Sequence, residues 1–453
     1  MTIRMLLTML LGLTLASANP TNDAPRFELR RGEHYFRAAG RPTFVLGRNP
    51  AGMTPRDYAD HFRHAAAAGE RFVRIHFTYF PPNEKPGEID AGMLRAWDAI
   101  LDSAEQAQLA VLPVLGVWSD WNDGSHKETW HTWDKNPFNS VRGGPAQKPA
   151  ELFEDTVCRK LWLQRLETFV RHWSQRRAII GWEIFSELDL VTGATEARAV
   201  EFTERAAAVI RAADPWQRPL TASQAGINAW PKLLQSDALD FIEIHPYTGG
   251  GFGGRLDELI LKTTRERLQR YGKPVLIGES GLHSGPPHGT LDVAPRAEVG
   301  IRHAIWAAVV SGALNGRALW WQDGYDRFEH ADLCSRYQQA AATAAAFVRD
   351  VDYAGFAPVP CVLSAGLKGA LLGNDRLRLG WFRDAACEPP EWPVRPLPGQ
   401  TVTMEAPGDA WQIEFIDPVT GQTIGQSRLT VRERHLQLAL PAFQGSLAVR
   451  LKR

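Results

Sequence analysis

Residues 72–117 read FVRIHFTYFPPNEKPGEIDAGMLRAWDAILDSAEQAQLAVLPVLGV. They hold a short apolar run (Phe72–Phe77), a stretch with helical periodicity (Ala91–Gln108) and a second apolar run (Ala110–Val117). Apolar runs of this length bounded by turns are strands, and a 3.6-residue apolar repeat is a helix. A strand, a helix and a strand in succession place the two strands parallel. The unit recurs in both directions. Further strands are predicted at Thr43–Gly47, Ile179–Phe185, Pro219–Ser223, Phe241–His245, Pro274–Gly278 and Ala318–Gln322. Helices are predicted at Pro55–Ala68, Ala150–Gln175, Ala194–Ala213, Trp230–Gln235, Leu256–Tyr271, Ala294–Ser311 and Asp332–Arg349. Eight strands, each followed by a helix over roughly 300 residues, predict an α/β fold closed as a (β/α)8 TIM barrel. An open doubly wound sheet is disfavoured, because no glycine-rich phosphate turn follows the first strand. Ahead of the barrel, Phe27–Ala39 reads as a hairpin turning at Arg30-Arg31-Gly32-Glu33.

Past Asp352 the helical periodicity stops, and short β runs punctuated by Pro and Gly take over. They predict a small all-β sandwich over residues 353–453. At the other end, Arg4, the apolar run Met5–Ala16 and the small residues Ala16-Ser17-Ala18 have the order of a signal peptide over residues 1–18. The run is shorter than the roughly 20 residues a spanning helix needs. The expected division is therefore a signal peptide at 1–18, a barrel with its hairpin at 19–352 and the sandwich at 353–453. The expected location is secreted or periplasmic, with no membrane partner after cleavage. The 453 residues balance 51 Lys+Arg against 51 Asp+Glu. A neutral chain has no general attraction for nucleic acid, whose binding rests on clustered cations. Among the four cysteines, Cys361 and Cys387 are the candidate disulfide for an oxidising compartment; free buried thiols are the alternative. No Cys/His spacing points to zinc.

A barrel of this kind places its chemistry at the C-terminal ends of the strands. The fourth strand ends Trp182-Glu183-Ile184-Phe185-Ser186-Glu187, and the seventh ends Leu276-Ile277-Gly278-Glu279. Two acids at one barrel mouth suit glycoside hydrolysis, in which one carboxyl group protonates the leaving oxygen and the other attacks or stabilises the anomeric carbon. Alternation puts Arg74 and His76 on one face of the second strand, where an arginine inside the barrel would pair with a carboxylate. His245 and Tyr247 follow the sixth strand, and the eighth carries Trp320-Trp321. On a strand only one of those two tryptophans could face the mouth as a sugar platform.

These motifs together resemble the clan A glycoside hydrolases, in particular family 5-like enzymes of the cellulase and β-mannanase type. The resemblance covers residues 27 to 352 in architecture. It also draws on Asn136-Pro137-Phe138-Asn139 and Gly143-Gly144-Pro145. It implies a retaining mechanism on a β-linked carbohydrate, with Glu187 as acid/base, Glu279 as nucleophile, Tyr247 bonded to the nucleophile and His245 near the acid. It implies no metal or organic cofactor, since two carboxyl groups complete the cycle. One position departs from the family pattern. Ser186 stands where the family usually has an asparagine that contacts the sugar 2-hydroxyl.

After the third strand, a long connection carries Trp118, Trp121, Trp130 and Trp133 among polar residues. It reads as one wall of a substrate cleft, or else as a loop packed on itself. His283 and His288 lack a third ligand at metal spacing, so they read as a loop rim. In the sandwich, Trp381, Trp392 and Trp411 are expected mainly in the core. A reading from another class is an exported carbohydrate-binding protein whose degenerate barrel site turns over little, and Ser186 is the residue that favours it.

Overall fold

The structure is a computed structural model that describes residues 26–30, 32–77, 80, 84–128, 130–154, 156–226, 230–248, 254–282, 297–324 and 331–453. The expected signal peptide and the pair His283 and His288 lie outside the described residues.

Eight parallel strands form the barrel: β1 (Val45–Arg48), β2 (Phe72–His76), β3 (Ala110–Val114), β4 (Trp182–Glu183), β5 (Leu220–Thr221), β6 (Ile242–Ile244), β7 (Val275–Ile277) and β8 (Asn315–Arg317). Six of them pair in the order β8-β1-β2-β3-β4-β5, and β6 pairs with β7. The circle closes through Asp240 N–H to the Leu220 carbonyl at 2.9 Å and Leu314 N–H to the Val275 carbonyl at 2.7 Å. The helices are α1 (Pro55–Ala67), α2 (Ala91–Gln106), α3 (Val157–Trp173), α4 (Glu196–Ala213), α5 (Pro231–Gln235), α6 (Leu256–Tyr271), α7 (Ala297–Val309) and α8 (Ala331–Val348). Local chemistry sets their starts. Thr54 caps α1 in a capping box with Asp57, and the Asp90 carboxylate accepts from Met93 N–H at the head of α2.

The strand period divides each strand between two environments. On β2, Val73 and Ile75 face outward into the helix layer, while Phe72 belongs to the cluster inside the barrel with Ala110, Leu112, Phe241 and Leu276. Arg74 and His76 share the face of Phe72. On the β6 segment, Ile242 and Ile244 join the helix-side core, which leaves Phe241, Glu243 and His245 on the inner face. The expected hairpin forms, with Phe27 opposite Ala38, and a third strand, Arg41–Thr43, extends it. Its Phe27 and Phe36 pack into the inner cluster and close the N-terminal end of the barrel.

Two sequence expectations are corrected. The eighth strand is Asn315–Arg317, not Ala318–Gln322; Trp320–Asp323 is a helical turn just beyond it. The strand bonds fall to Asn315, whose side chain caps Ile277 N–H and C=O, while Asp323 accepts from Leu319 N–H at 2.9 Å and bends the chain. Alternation therefore does not govern the Trp320-Trp321 pair. The disulfide is absent as well: Cys361 and Cys387 are both thiols.

From residue 357 on the chain is all β. A six-stranded sheet takes in Ala357–Val359, Leu367–Gly373, Leu377–Asp384, Ala410–Ile416, Thr423–Thr430 and Ser446–Lys452, and a three-stranded sheet takes in Cys361–Leu363, Thr401–Glu405 and His435–Ala439. Phe382, Trp411, Ile413, Leu447, Val449 and Leu451 pack between the sheets with Val402, Met404, Leu436 and Leu438. The opposite face of the larger sheet, with Leu372, Leu379, Trp381 and Ala448, merges with the core beneath α6, α7 and α8. Trp381, Trp392 and Trp411 are all buried.

Candidate active site

Arg74 is fully buried inside the barrel and organises the mouth. Its guanidinium donates to both oxygens of Glu183, Nε to Oε2 at 2.6 Å and Nη2 to Oε1 at 2.8 Å. Nη1 donates to Glu279 Oε1 at 2.9 Å, and Nη2 also donates to Ser186 Oγ at 2.9 Å. Glu243 Oε1 lies 2.8 Å from Arg74 Nε. One cation thus faces three acids from three different strands. Burying charges costs several kcal/mol per ion unless they compensate one another, and the planar guanidinium fork gives that compensation geometrically.

Glu279 follows β7. Its second oxygen, Oε2, accepts the Tyr247 hydroxyl at 2.7 Å and lies 3.7 Å from His245 Nδ1. Glu187 follows β4, and its Oε1 is 2.9 Å from His245 Nδ1. One oxygen of each of these two carboxyl groups and one ring nitrogen of His245 all lie within 4.8 Å of one another. Glu187 has left-handed backbone, with φ 58° and ψ 53°. A residue other than glycine in this region is sterically disfavoured and is held there by its surroundings. Here Glu187 N–H donates to Ser223 Oγ at 3.0 Å, and that hydroxyl donates to Glu183 Oε1 at 2.9 Å.

The environment displaces the two carboxyl groups in opposite directions. Burial raises Glu187, and the charge of Glu279 adds to that against the opposing His245 bond. Burial also acts upward on Glu279, but His245 and Arg74 outweigh it and hold Glu279 down at about 2. Burial lowers His245, yet Glu279, Glu187 and Glu243 together bring it up to about 10. His76 is driven well below its ordinary value by burial and by Arg74, so its ring is neutral. Glu183 is raised to about 7, chiefly by burial.

The structure brings Arg74, Ser186, Glu187, His245, Tyr247 and Glu279 into one connected group. His76 stands one alternation further along β2, against the edge of Trp320 at 4.9 Å between ring centres. The Trp320 backbone N–H donates to the Ser280 carbonyl, which ties the turn carrying this half-buried ring to the segment after Glu279. Trp118 N–H donates to the Ser186 carbonyl, so that tryptophan flanks the acid of β4. Trp321 is not in the acid group; its ring is 6.0 Å from that of Trp130, which in turn is 6.5 Å from Trp118. These three rings line one side of the mouth, with Lys127 Nζ 5.2 Å from the Trp118 ring centre. Trp121 and Trp133 do the opposite job. They pack on each other inside the loop, and Trp121 packs on Phe138 as well.

Glu243 escaped the sequence reading, although Ile242-Glu243-Ile244-His245 carries a signal for it. An acid two residues before an inward histidine shares its face. Asn49 was missed too. It lies just past β1, its Nδ2 donates to the Gly278 carbonyl at 3.1 Å, and its Oδ1 accepts from Arg74 at 3.5 Å. Two groupings have the spacing of metal ligands, Glu187 with His245 and Glu279, and Glu183 with Glu243 and His245. In both, the acids are already faced by the Arg74 guanidinium or the His245 ring.

No protein-family model matches the chain, and no curated protein sequence matches it. Solved structures do. A glycoside hydrolase family 5 structure from Bacteroides vulgatus superposes with a TM-score of 0.63 at 12% identity, over 94% of this chain and 93% of its own. A second glycoside hydrolase superposes at 0.62 and 12% identity over 94% and 97%. The endo-1,4-β-mannanase of Rhizomucor miehei superposes at 0.53 and 13% identity over 71% of this chain and 99% of its own. The first two spans run beyond the barrel into the C-terminal sheets. The chain has the fold of the family 5-like, clan A glycoside hydrolases.

Proposed function

We propose that the protein is a retaining glycoside hydrolase acting on a β-linked oligosaccharide or polysaccharide. The observation that carries this reading is the opposite displacement of two carboxyl groups that approach within 4.8 Å. Groups pushed apart in this way take the acid and the base roles. With one oxygen of each within 4.8 Å of the other, the pair is compatible with the ~5–5.5 Å separation of retaining enzymes.

Glu279, held ionised by Arg74 and Tyr247, attacks the anomeric carbon. Glu187, held protonated, donates its proton to the departing glycosidic oxygen. The resulting glycosyl ester on Glu279 is released when Glu187, now a carboxylate, takes a proton from water and the water oxygen attacks the same carbon. Charge moves from Glu279 to Glu187 and back, and His245 faces both throughout. Trp130 and Trp320 offer rings for stacking on sugar C–H faces, with the buried Trp118 behind Trp130. Export, read from residues 1–18, is part of the proposal and places the substrate outside the cytoplasm.

A second reading, binding with little turnover, is favoured by Ser186. Its hydroxyl is buried and already accepts from Arg74. Reducing-end release from a panel of β-glucans, β-mannans and bacterial exopolysaccharides separates the two. Release by the wild type that drops on the order of 10³-fold or more in Glu279→Gln supports hydrolysis. Binding without release by the folded wild type supports the second reading.

A further inference from the structure

Glu243 has no part in the chemistry above, yet it is one of the most deeply buried charged side chains in the barrel. Neither of its carboxylate oxygens has a hydrogen bond among the described residues. Its near contact with Arg74 Nε is an ion pair only, because that N–H is aimed at Glu183 Oε2. The space for it is reserved. A Cβ on Gly278 would stand 1.9 Å from Glu243 Oε1, so any side chain there would evict the carboxylate. The other polar atom facing Glu243 is His245 Nε2, at 3.5 Å, which also lacks a hydrogen bond. On its far side, His245 Nδ1 is 2.9 Å from Glu187 and 3.7 Å from Glu279. The imidazole therefore stands between a buried acid and both members of the proposed catalytic pair.

Resting on the hydrolase reading, we propose that Glu243 is a positioning residue that holds the second proton on His245, keeping an imidazolium between Glu187 and Glu279 while negative charge passes from one to the other. A carboxylate buried without hydrogen bonds is costly and is retained where its charge is used. The charged and titratable groups acting on His245 are Arg74 and His76 from β2, Glu183 and Glu187 from the β4 end, Asp189 just beyond it, Glu279 from β7, and Glu243 from its own segment, with the Tyr247 hydroxyl bonded to Glu279. Of these, Glu243 is the acid that faces Nε2. Glu187 and Glu279 lie on the Nδ1 side and lose or gain charge during the cycle. Glu243 takes part in neither proton transfer, so its place beside Nε2 is the same in every step.

The test is the protonation of His245 in the free protein, read from long-range ¹H–¹⁵N spectra of histidine-labelled enzyme, with the signal assigned by its loss in His245→Gln. The wild type is expected to show an imidazolium at pH 8. In Glu243→Gln the ring is expected to lose its proton at a pH at least one unit lower, a tenfold or greater fall in proton affinity. A neutral ring in the wild type at pH 7, or the same titration midpoint in both proteins, overturns the proposal. If Glu243→Gln does not fold, Glu243→Asp withdraws the carboxylate by one methylene, and its midpoint must also fall; an unchanged midpoint overturns the proposal. No substrate enters this measurement, so a failure of the hydrolase reading shows in the turnover panel and not here. Where turnover is measured, the alkaline limb of kcat/KM, set by Glu187, should move up in Glu243→Gln, because a neutral His245 no longer lowers Glu187, and partly return in Glu243→Asp, a response that lost packing alone would not give.

Discussion

At residue scale, the site works by unequal treatment of similar groups. Glu187 and Glu279 are both buried acids within reach of His245, but of the two it is Glu279 that accepts from Arg74 and Tyr247. The pH dependence of kcat/KM follows with a definite sign. Activity requires Glu279 ionised and Glu187 protonated. The acid limb should therefore fall below the ordinary carboxylate range, toward the value of about 2 held at Glu279, and the alkaline limb above it, at the raised Glu187. An initial-rate profile checks both limbs, and an acid limb at an ordinary glutamate value would contradict this electrostatic arrangement. Ser186 makes a second residue-scale test. Because its hydroxyl accepts from Arg74, Ser186→Ala should cost about 1 kcal/mol of stability while leaving KM within a few-fold. A tenfold rise in KM with unchanged melting would instead place that hydroxyl on the sugar.

At element scale, the connection after β3 divides its tryptophans between two duties. Trp121 and Trp133 are its internal core, whereas Trp130 is 41% exposed at the mouth beside Trp118 and Trp321. Trp121→Ala should destabilise the protein by about 3–5 kcal/mol through the cavity it leaves, measured by denaturant unfolding. Trp130→Ala should change stability by no more than about 0.5 kcal/mol and weaken oligosaccharide binding in calorimetry. Equal loss of stability in both variants would dismiss the division. The turn Trp320–Asp323 belongs to the same scale. Trp320 meets His76 because Asp323 accepts from the backbone of Leu319 and from Arg317 at the root of the turn.

At the scale of the molecule, the inner strands of the six-stranded sheet are buried on both faces, by the smaller sheet on one side and by α6, α7 and α8 on the other. Arg383 pins this contact. It is 1% exposed and donates to Asp257 and Glu258 at the head of α6. Arg383→Ala strands a buried Asp257 and should cost about 3–5 kcal/mol. Thermal unfolding should show one cooperative transition, since the two parts share a core. Two resolved transitions would mean that the sheets and barrel unfold independently.

The sequence by itself determined the succession of strands and helices, since period and turn chemistry are local properties that each segment carries alone. It also determined that Arg74 and His76 share a face, and that acids follow the fourth and seventh strands, because alternation needs no partner. The partners of those side chains were decided only when the barrel closed. Arg74 meets Glu183, Glu243 and Glu279 across separations of 109 residues and more, and no local pattern encodes such a distance. The same holds for the eighth strand. Trp320-Trp321 has the composition of a strand, but capping by Asp323 and the pairing of Asn315 with Val45 won over local propensity. The displacement of Glu187 upward and Glu279 downward is likewise a tertiary property. It depends on burial and on a cation brought from another strand, and neither exists in the unfolded chain.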